Sequence, residues 1–405
     1  VGMLRAPAIP KAMGGMGPYE SEAVNLTGAD QLQAAGYDGS GVKVAVVDLG
    51  FIGFADRQSE GELPSNAVTI DYSGTGFEAD TPHGTGVSEH VMDMAPGCTL
   101  IAIKVGDTVD LQNAADYCKN NGVLIANHSV GWVMNSYYDG TGPISDIIAN
   151  SFDDGTLWTI SAGNSATSHW DGDFVDNDSD SVHEFAPGDE SNSPVGSYSV
   201  LQVFLNWDQY GDSVTDLDLY VYDKRNRLRG SSTASQTGSQ DPAEAIGMYV
   251  YSNLAPYHIV IQHYSGPTNV NMTLHSFNHD FQYPVGPSSF MDPVPDDCIT
   301  VAAQNYTDYP NGALESFSSY GPRNDGSTAK SEITAPDGTT SKTYGVSGSY
   351  GTSFAAPTTA GAAALLADKY NLTTPSAVKA KLLLLATDEG GSPPSAPDGL
   401  VLHVE

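Results

Sequence analysis

Three stretches of this chain carry residue types that can do chemistry together. Gly351-Thr352-Ser353-Phe354-Ala355-Ala356-Pro357 leads into a run of small residues ending at Tyr370, which suits a helix buried against other backbone. Pro357 falls early in that run, where a missing N–H costs least. Ser353 is therefore expected at or near a helix N-terminus, where unpaired N–H groups and the positive end of the helix dipole gather. A hydroxyl so placed can attack a carbonyl while those N–H groups receive the oxyanion. Taken alone, Ser353 reads first as a simple helix cap. Two other stretches change that reading. Residues 42–48 are an apolar run ending in Asp48, which predicts a buried parallel strand with an acid at its C-terminal edge, where open α/β sheets place their sites. Pro82-His83-Gly84-Thr85-Gly86-Val87 opens a second helix with a histidine. An acid, a histidine and a serine thus lie at the ends of elements, the three parts that acyl transfer through an activated hydroxyl requires.

The elements that must position these groups follow from periodicity. Strands are predicted over 42–48, 67–72, 99–105, 123–126 and 157–161, and helices over 26–36, 109–121, 143–152 and 375–386. Residues 51–66 read as a polar loop.

With Val46-Val47-Asp48, His83-Gly84-Thr85, Ser161-Ala162-Gly163-Asn164 and Gly351-Thr352-Ser353-Phe354-Ala355-Ala356-Pro357 in this order, the chain resembles the subtilisin-like serine proteases, or subtilases. Ser129-Val130-Gly131 and Ser316-Phe317-Ser318-Ser319-Tyr320-Gly321-Pro322 look like further family segments, and the resemblance covers 22–168 and 296–390. It implies an α/β fold with a parallel sheet flanked by helices, and endopeptidase activity without a catalytic cofactor. It assigns Asp48, His83 and Ser353 to the triad and Asn164 to the side-chain oxyanion donor. It further implies that Ser129, Val130 and Gly131, with Ser161, Ala162 and Gly163, offer backbone to an extended substrate and wall the pocket for the residue before the cleaved bond.

The chain departs from the family pattern in several places. Gly86 stands where many subtilases have a second histidine, Glu89 where a small residue is usual, and Trp132 where glycine is frequent. Glu89 and Asp93 lie one helical turn apart on one face. That pair resembles the one in the acid-active sedolisins, where the Glu replaces the catalytic His; because His83 is present here, structural pairing of Glu89 with a nearby polar group is expected. His128 has no evident partner and reads as a core or surface histidine.

Between the family segments lie about 120 residues in which apolar and polar residues alternate over 200–207, 216–223, 248–251, 258–264 and 270–274, separated by polar, Gly-rich turns. This predicts an inserted antiparallel β-sandwich, of jelly-roll type. The expected organisation is an extended N-terminal arm over 1–21, a first part of the catalytic domain over 22–168, the insert over 169–295 and the second part over 296–405. The insert leaves the chain shortly after Asn164, so it reads either as a rim of the cleft or as a module pointing away from it. Asp176, Asp178 and Asp180 have the alternating-oxygen spacing of a calcium loop, without its glycine and twelfth-position acid; structural calcium and a solvated acidic loop both fit. Asp208, Asp216 and Asp218 are a second candidate cluster.

The 405 residues carry a net charge of −33 although only 16% are charged, so the excess acid reflects scarce Lys and Arg. Such a surface disfavours binding to nucleic acid or to an anionic membrane, and no run is long enough to span a bilayer. A secreted, extracellular monomer acting on protein or peptide substrates is expected, with the numbering starting after a removed signal peptide. Three cysteines leave at least one free thiol, and both a Cys98–Cys118 disulfide and three buried thiols fit. Two other functions use the same parts: a transamidating subtilase that passes the acyl group to an amine, and a non-catalytic surface binding protein that kept the fold.

Overall fold

The computed structural model describes residues 19–196, 199–285, 295–325, 331–386 and 400–402. The expected N-terminal arm lies almost wholly outside the described residues. An eight-stranded sheet forms the centre. Its order is Leu400–Val401, Ser331–Asp337, Ile299–Asn305, Leu157–Ser161, Ile125–His128, Lys43–Asp48, Thr99–Lys104 and Val68–Asp71. Neighbouring strands pair in parallel throughout.

Alternation along the strands divides the core into two layers. Val44, Val46, Leu100 and Ala102 join one buried cluster with the helices His83–Met94 and Thr352–Tyr370. Ala45, Val47, Ile101 and Ile103 join another with Thr108–Asn121 and Pro143–Asp153. The Thr352–Tyr370 helix is buried without interruption from Phe354 to Ala367, as its small side chains require. It touches the His83–Met94 helix so closely that a Cβ at Gly361 would lie 2.4 Å from Met94 Cβ. No helix among the described residues is long and apolar enough to cross a membrane.

Two expectations need correction, and the open choice for the cysteines is decided in favour of three buried thiols. The loop expected over 51–66 holds a helix, Phe54–Glu60, with glycines of positive φ at both ends, Gly53 (82°) and Gly61 (87°). It buries only Phe54, so its sequence has no apolar stripe to announce it. The helix expected over 26–36 is two short ones, Ala23–Leu26 and Ala29–Ala34, divided at Gly28, whose φ is 78°. Cys98, Cys118 and Cys298 are all free and buried. Cys98 belongs to the core on one sheet face and Cys118 to the core on the other, so the sheet itself separates them.

In the chain between Leu157–Ser161 and Ile299–Asn305, the described residues form a two-stranded antiparallel pair, Pro194–Val195 with Asp280–Phe281, and two larger antiparallel sheets. One has the order Leu228–Ser232, Asp216–Tyr222, His258–Ser265; the other Ala243–Tyr249, Val200–Trp207, Asn271–Ser276, His169–Asp173. They share a core of their own, including Leu205, Trp207, Leu219, Val221, Ile259 and Leu274. They are also tied to the loop after Ile125–His128: the Tyr137 hydroxyl bonds Asn271 Oδ1, the Tyr210 hydroxyl donates to Met134 O, and Asn206 Nδ2 donates to Ser136 O at 3.0 Å.

Buried acids fasten the outer segments to the His83–Met94 helix. Asp93 accepts from Ser21 N at 2.9 Å, and Glu89 accepts from Thr343 N and Oγ1, both at 3.1 Å. The expected structural pairing of Glu89 is therefore with Thr343, in the turn between Thr339–Ser341 and Gly345–Ser349. Burial pushes the Glu89 carboxyl up to about 7, against the opposing effect of the Thr343 hydrogen bonds. Burial, and then the charge of Glu89, holds Asp93 well above its usual range, although Ser21 N opposes this. For both groups the folded pKa lies above the unfolded one. The folded state therefore binds more protons, and their contribution to stability is lost as pH rises through the folded values. Glu89→Gln should thus raise the thermal midpoint more at pH 8 than at pH 5. Melting curves of both proteins at the two pH values check this; an equal shift at both would mean that the folded state does not raise the Glu89 pKa.

Candidate active site

Asp48 ends its strand, fully buried, and Oδ1 accepts from Leu49 N at 2.8 Å. Oδ2 lies 2.8 Å from His83 Nδ1. His83 is the first residue of its helix, which comes close to the Asp48 loop because Gly84 has no side chain: a Cβ there would meet Phe51 at 2.6 Å and Gly50 O at 2.8 Å. With Nδ1–H given to Asp48, Nε2 keeps its lone pair and can take a proton. Burial pulls the His83 pKa down, but the charge of Asp48 and its hydrogen bond more than offset this, and the net shift is upward.

Ser353 is the second residue of the Thr352–Tyr370 helix. Gly351, just before the helix, has φ 123°, and a Cβ there would lie 3.0 Å from Asn164 Nδ2, so the turn requires glycine on both counts. Gly351 N donates to Asp337 Oδ2 at 2.8 Å, which anchors the turn to the end of Ser331–Asp337. Burial raises the Asp337 carboxyl to about 7, although the Gly351 hydrogen bond opposes it. Ser353 Oγ donates to Ser129 O at 3.4 Å, and Ser129 Oγ donates to Ser353 O at 3.1 Å. The Ser353 hydroxyl thus points to Ser129 rather than His83 in this conformation. Catalytic hydrogen bonds are often completed only when substrate is bound.

The Asn164 amide is oriented by its neighbours. Oδ1 accepts from Thr352 N at 3.0 Å and Thr352 Oγ1 at 2.9 Å, while Thr352 Oγ1 accepts from Gly163 N at 3.1 Å. This places Nδ2 on the side away from Thr352 N, as a donor with no partner among the described residues. Asn164 and Ser353 bound a pocket of about 270 Å³, with Ser129, Gly131, Ser161 and Gly163 among its walls. Val130 and Ala162, predicted to join them, are buried beside the pocket, and Ala162 N donates to Val301 O at 2.9 Å in the sheet. The arrangement brings a hydroxyl and an amide donor to one pocket, with the His83 ring 5.8 Å from that of Phe354, the residue after Ser353.

The departures from the family pattern have local explanations. The Tyr344 ring fills the space beside Gly86, where a Cβ would lie 2.6 Å from it. His128 is buried and has two partners: Nδ1 donates to Val47 O at 2.8 Å, and Nε2 accepts from Trp132 Nε1, also at 2.8 Å. Trp132 is thus held by the strand next to Asp48. Asp337, Thr352 and Tyr344 were not singled out from the sequence. Asp337 and Thr352 flank the Ser353 turn, and their spacing to it was a usable signal. Asp176, Asp178 and Asp180 have carboxylate oxygens within 4.8 Å of one another. Asp208, Asp216 and Asp218 form no such group among the described residues.

The His83–Asp48 contact predicts a measurable titration. The imidazole of His83 should titrate above the ordinary value of about 6.5, and Asp48→Asn should lower its midpoint. Ring-carbon NMR of both proteins across pH 4–9 checks this; an unchanged midpoint in Asp48→Asn would remove Asp48 as the cause.

The profile of the subtilase family matches residues 39–400. Alkaline elastase YaB from Bacillus sp. (strain YaB) is 28% identical over 152 residues, 35% of this chain and 39% of the relative. Subtilisin DY from Bacillus licheniformis is 27% identical over 167 residues, 37% of this chain and 56% of the relative. Subtilisin Savinase from Lederbergia lenta is 34% identical over 106 residues, 24% of this chain and 39% of the relative. The chain thus spans between 39% and 56% of these relatives' lengths. Among solved structures, it is similar to a cold adapted subtilisin-like serine proteinase at 15% identity and a TM-score of 0.45, covering 91% of this chain and 90% of that one. It is similar to the nisin leader peptidase of Lactococcus lactis at 16% identity and a TM-score of 0.49, covering 95% of this chain and 91% of that one. With a family profile running through nearly all of its length, from the strand of Asp48 to beyond the helix of Ser353, this chain belongs to the subtilase family.

Proposed function

We propose that this protein is a secreted serine endopeptidase that hydrolyses protein or peptide substrates through an acyl-enzyme. The observation that carries the reading is the 2.8 Å contact of buried Asp48 with His83, whose ring lies 5.8 Å from that of Phe354, the residue after Ser353. Ser353 Oγ attacks the scissile carbonyl carbon, and His83 Nε2 takes its proton. Asp48 holds the imidazole tautomer and stabilises the imidazolium. Asn164 Nδ2 and Ser353 N–H receive the oxyanion. His83 then gives its proton to the leaving amine, and water, activated by the same imidazole, releases the acyl group. Substrate backbone runs along Ser129, Val130 and Gly131 on one side and Ser161, Ala162 and Gly163 on the other. Residues 22–168 and 296–405 form the catalytic domain, and 169–295 an inserted β-sandwich.

Ser353→Ala should lower kcat by about 10⁶ while keeping the fold. Asn164→Ala should lower it by about 10²–10³, the effect of losing one oxyanion donor. Initial rates on a chromogenic peptide measure both, and near-native activity in Ser353→Ala would overturn the mechanism. Product mass spectra separate hydrolysis from transfer to an amine.

A structural calcium ion at Asp176, Asp178 and Asp180 is also proposed. The donor set is all oxygen, which suits a hard cation. Asp176 accepts from Ser179 N at 2.7 Å and Ser181 N at 3.0 Å, which curls the loop around the carboxylates. Asp178 is pushed up by partial desolvation and by the charges of Asp180, Asp176 and Glu184, a repulsion that a cation relieves. A chelator should lower the thermal midpoint and added calcium restore it. An unchanged melting curve, with no calcium in elemental analysis, would remove the ion from this reading.

A further inference from the structure

His83 stands at the end of a loop that has no regular structure. After Val68–Asp71, residues 72–82 form neither helix nor strand before His83 opens its helix. None of them is buried, so the loop has no core of its own. Phe77 stacks on Phe51, with centroids 4.7 Å apart, and fixes the middle of the loop. The polar anchor is Lys104. In a chain poor in Lys and Arg, this side chain is fully buried. Its Nζ donates to Thr75 Oγ1 and to Gly76 O, both at 2.7 Å, and to Asp80 Oδ2 at 2.6 Å. Three N–H groups thus meet three acceptors, the full capacity of an ammonium. A buried charge needs such a complete set, because its desolvation is otherwise uncompensated.

The place of Lys104 in the sheet connects this loop to Asp48. Lys104 ends Thr99–Lys104 opposite Asp48 in the paired strand, and Val105 N donates to Asp48 O at 2.9 Å. Asp80 precedes His83 by three residues and has φ 68°, a left-handed conformation uncommon outside glycine. Such a conformation persists where the surroundings over-determine it. Thr75 Oγ1 also donates to Asp80 Oδ2, at 2.9 Å. After Asp80, Thr81 O accepts from Ile52 N at 3.0 Å and Thr81 Oγ1 from His83 N at 3.2 Å. A Cβ at Gly50 would lie 2.3 Å from Ala79 O, so the loop rests directly on the backbone that follows Asp48.

We propose that Lys104 is a positioning residue for the His83–Asp48 pair: from the strand beside Asp48, its ammonium holds Asp80 and with it the start of the His83 helix. This rests on the function proposed above. All three N–H groups of Lys104 are engaged by the loop, so it acts through the loop and not on substrate. Removing the ammonium has two effects of opposite sign at His83. Loss of a nearby positive charge alone favours the imidazolium and raises the pKa. Loss of the Asp48 contact removes what raises the pKa and lowers it.

The test compares the full chain with Lys104→Met, an unbranched side chain of similar length without the charge. The His83 midpoint, followed by ring-carbon NMR without substrate, should fall toward about 6.5. On a chromogenic peptide, kcat should fall by about tenfold or more, since a displacement of about 1 Å can cost about 10²-fold. Both falls together support the assignment. A midpoint that stays or rises, or a smaller fall in kcat, overturns it; a role in stability alone would lower the thermal midpoint and leave the His83 midpoint in place. If Lys104→Met does not fold, Asp80→Ala takes its place under the same criterion, because the Asp80 side chain is 57% exposed and its removal opens no cavity. Labelling of Ser353 by a fluorophosphonate separates the two possible failures. Where the wild type labels and cleaves, an unmoved variant overturns only the role of Lys104. Where the wild type neither labels nor cleaves, the proposed function fails, and the His83 midpoint alone decides whether Lys104 holds the pair.

Discussion

The close approach of two helices, at the contact of Gly361 with Met94, is the constraint on which the site depends. One helix begins at His83, the other begins one residue before Ser353, and both lie on the same face of the sheet. No side chain larger than hydrogen fits at Gly361 without displacing Met94 or the backbone at Val91. The run of alanines and threonines on the Ser353 helix serves the same purpose, since a bulkier surface would push the helix off the sheet. The ends of the two helices that carry His83 and Ser353 are thus brought near one another by packing well below them, with the His83 ring 5.8 Å from that of Phe354. Their relation does not rest on a bond between the two side chains, which is absent in this conformation.

Around this frame the polar groups set direction. Asp337 takes the Gly351 N–H, Thr352 turns the Asn164 amide, and Asp48 turns the His83 ring. Each contact removes a rotational choice from a reacting group before substrate arrives, which is what preorganised catalysis requires. Glu89, Asp93 and Asp337 are buried, and burial raises their pKa values. In the folded protein they are held by backbone and hydroxyl donors rather than by cations, in keeping with how few Lys and Arg the chain has.

Much of this architecture was legible in the sequence. Buried strands such as Lys43–Asp48 and Leu157–Ser161 are short apolar runs whose environment is the same on both faces, so composition alone marks them. The positions of Asp48, His83 and Ser353 were legible because each sits at the end of such an element. What was missed had little burial to write itself into the sequence: the Phe54–Glu60 helix buries one residue, and the Leu228–Ser232 strand is an edge with no buried position. The free state of Cys98 and Cys118 depends on which sheet face each occupies, which only the assembled sheet decides. His128 likewise found its partners across the sheet, at Val47, and in the following loop, at Trp132. The partners of Lys104 were beyond reach for the same reason. They lie 24 to 29 residues before it, in a loop with neither helix nor strand.

The placement of the antiparallel sheets also bears on how the chain closes its loops. Leu157–Ser161 pairs directly with Ile299–Asn305, so the two strands are neighbours in space while the whole of 162–298 runs out and back between them. Closure entropy rises only with the logarithm of loop length. Compared with a connection about one-eighth as long, three doublings cost about 2 kcal/mol. Because the intervening segment has its own core and its own strand pairing, it can order independently and bring its two ends together, so the effective loop is shorter than its residue count. A subtilase sheet can therefore carry a module of this size for little thermodynamic penalty.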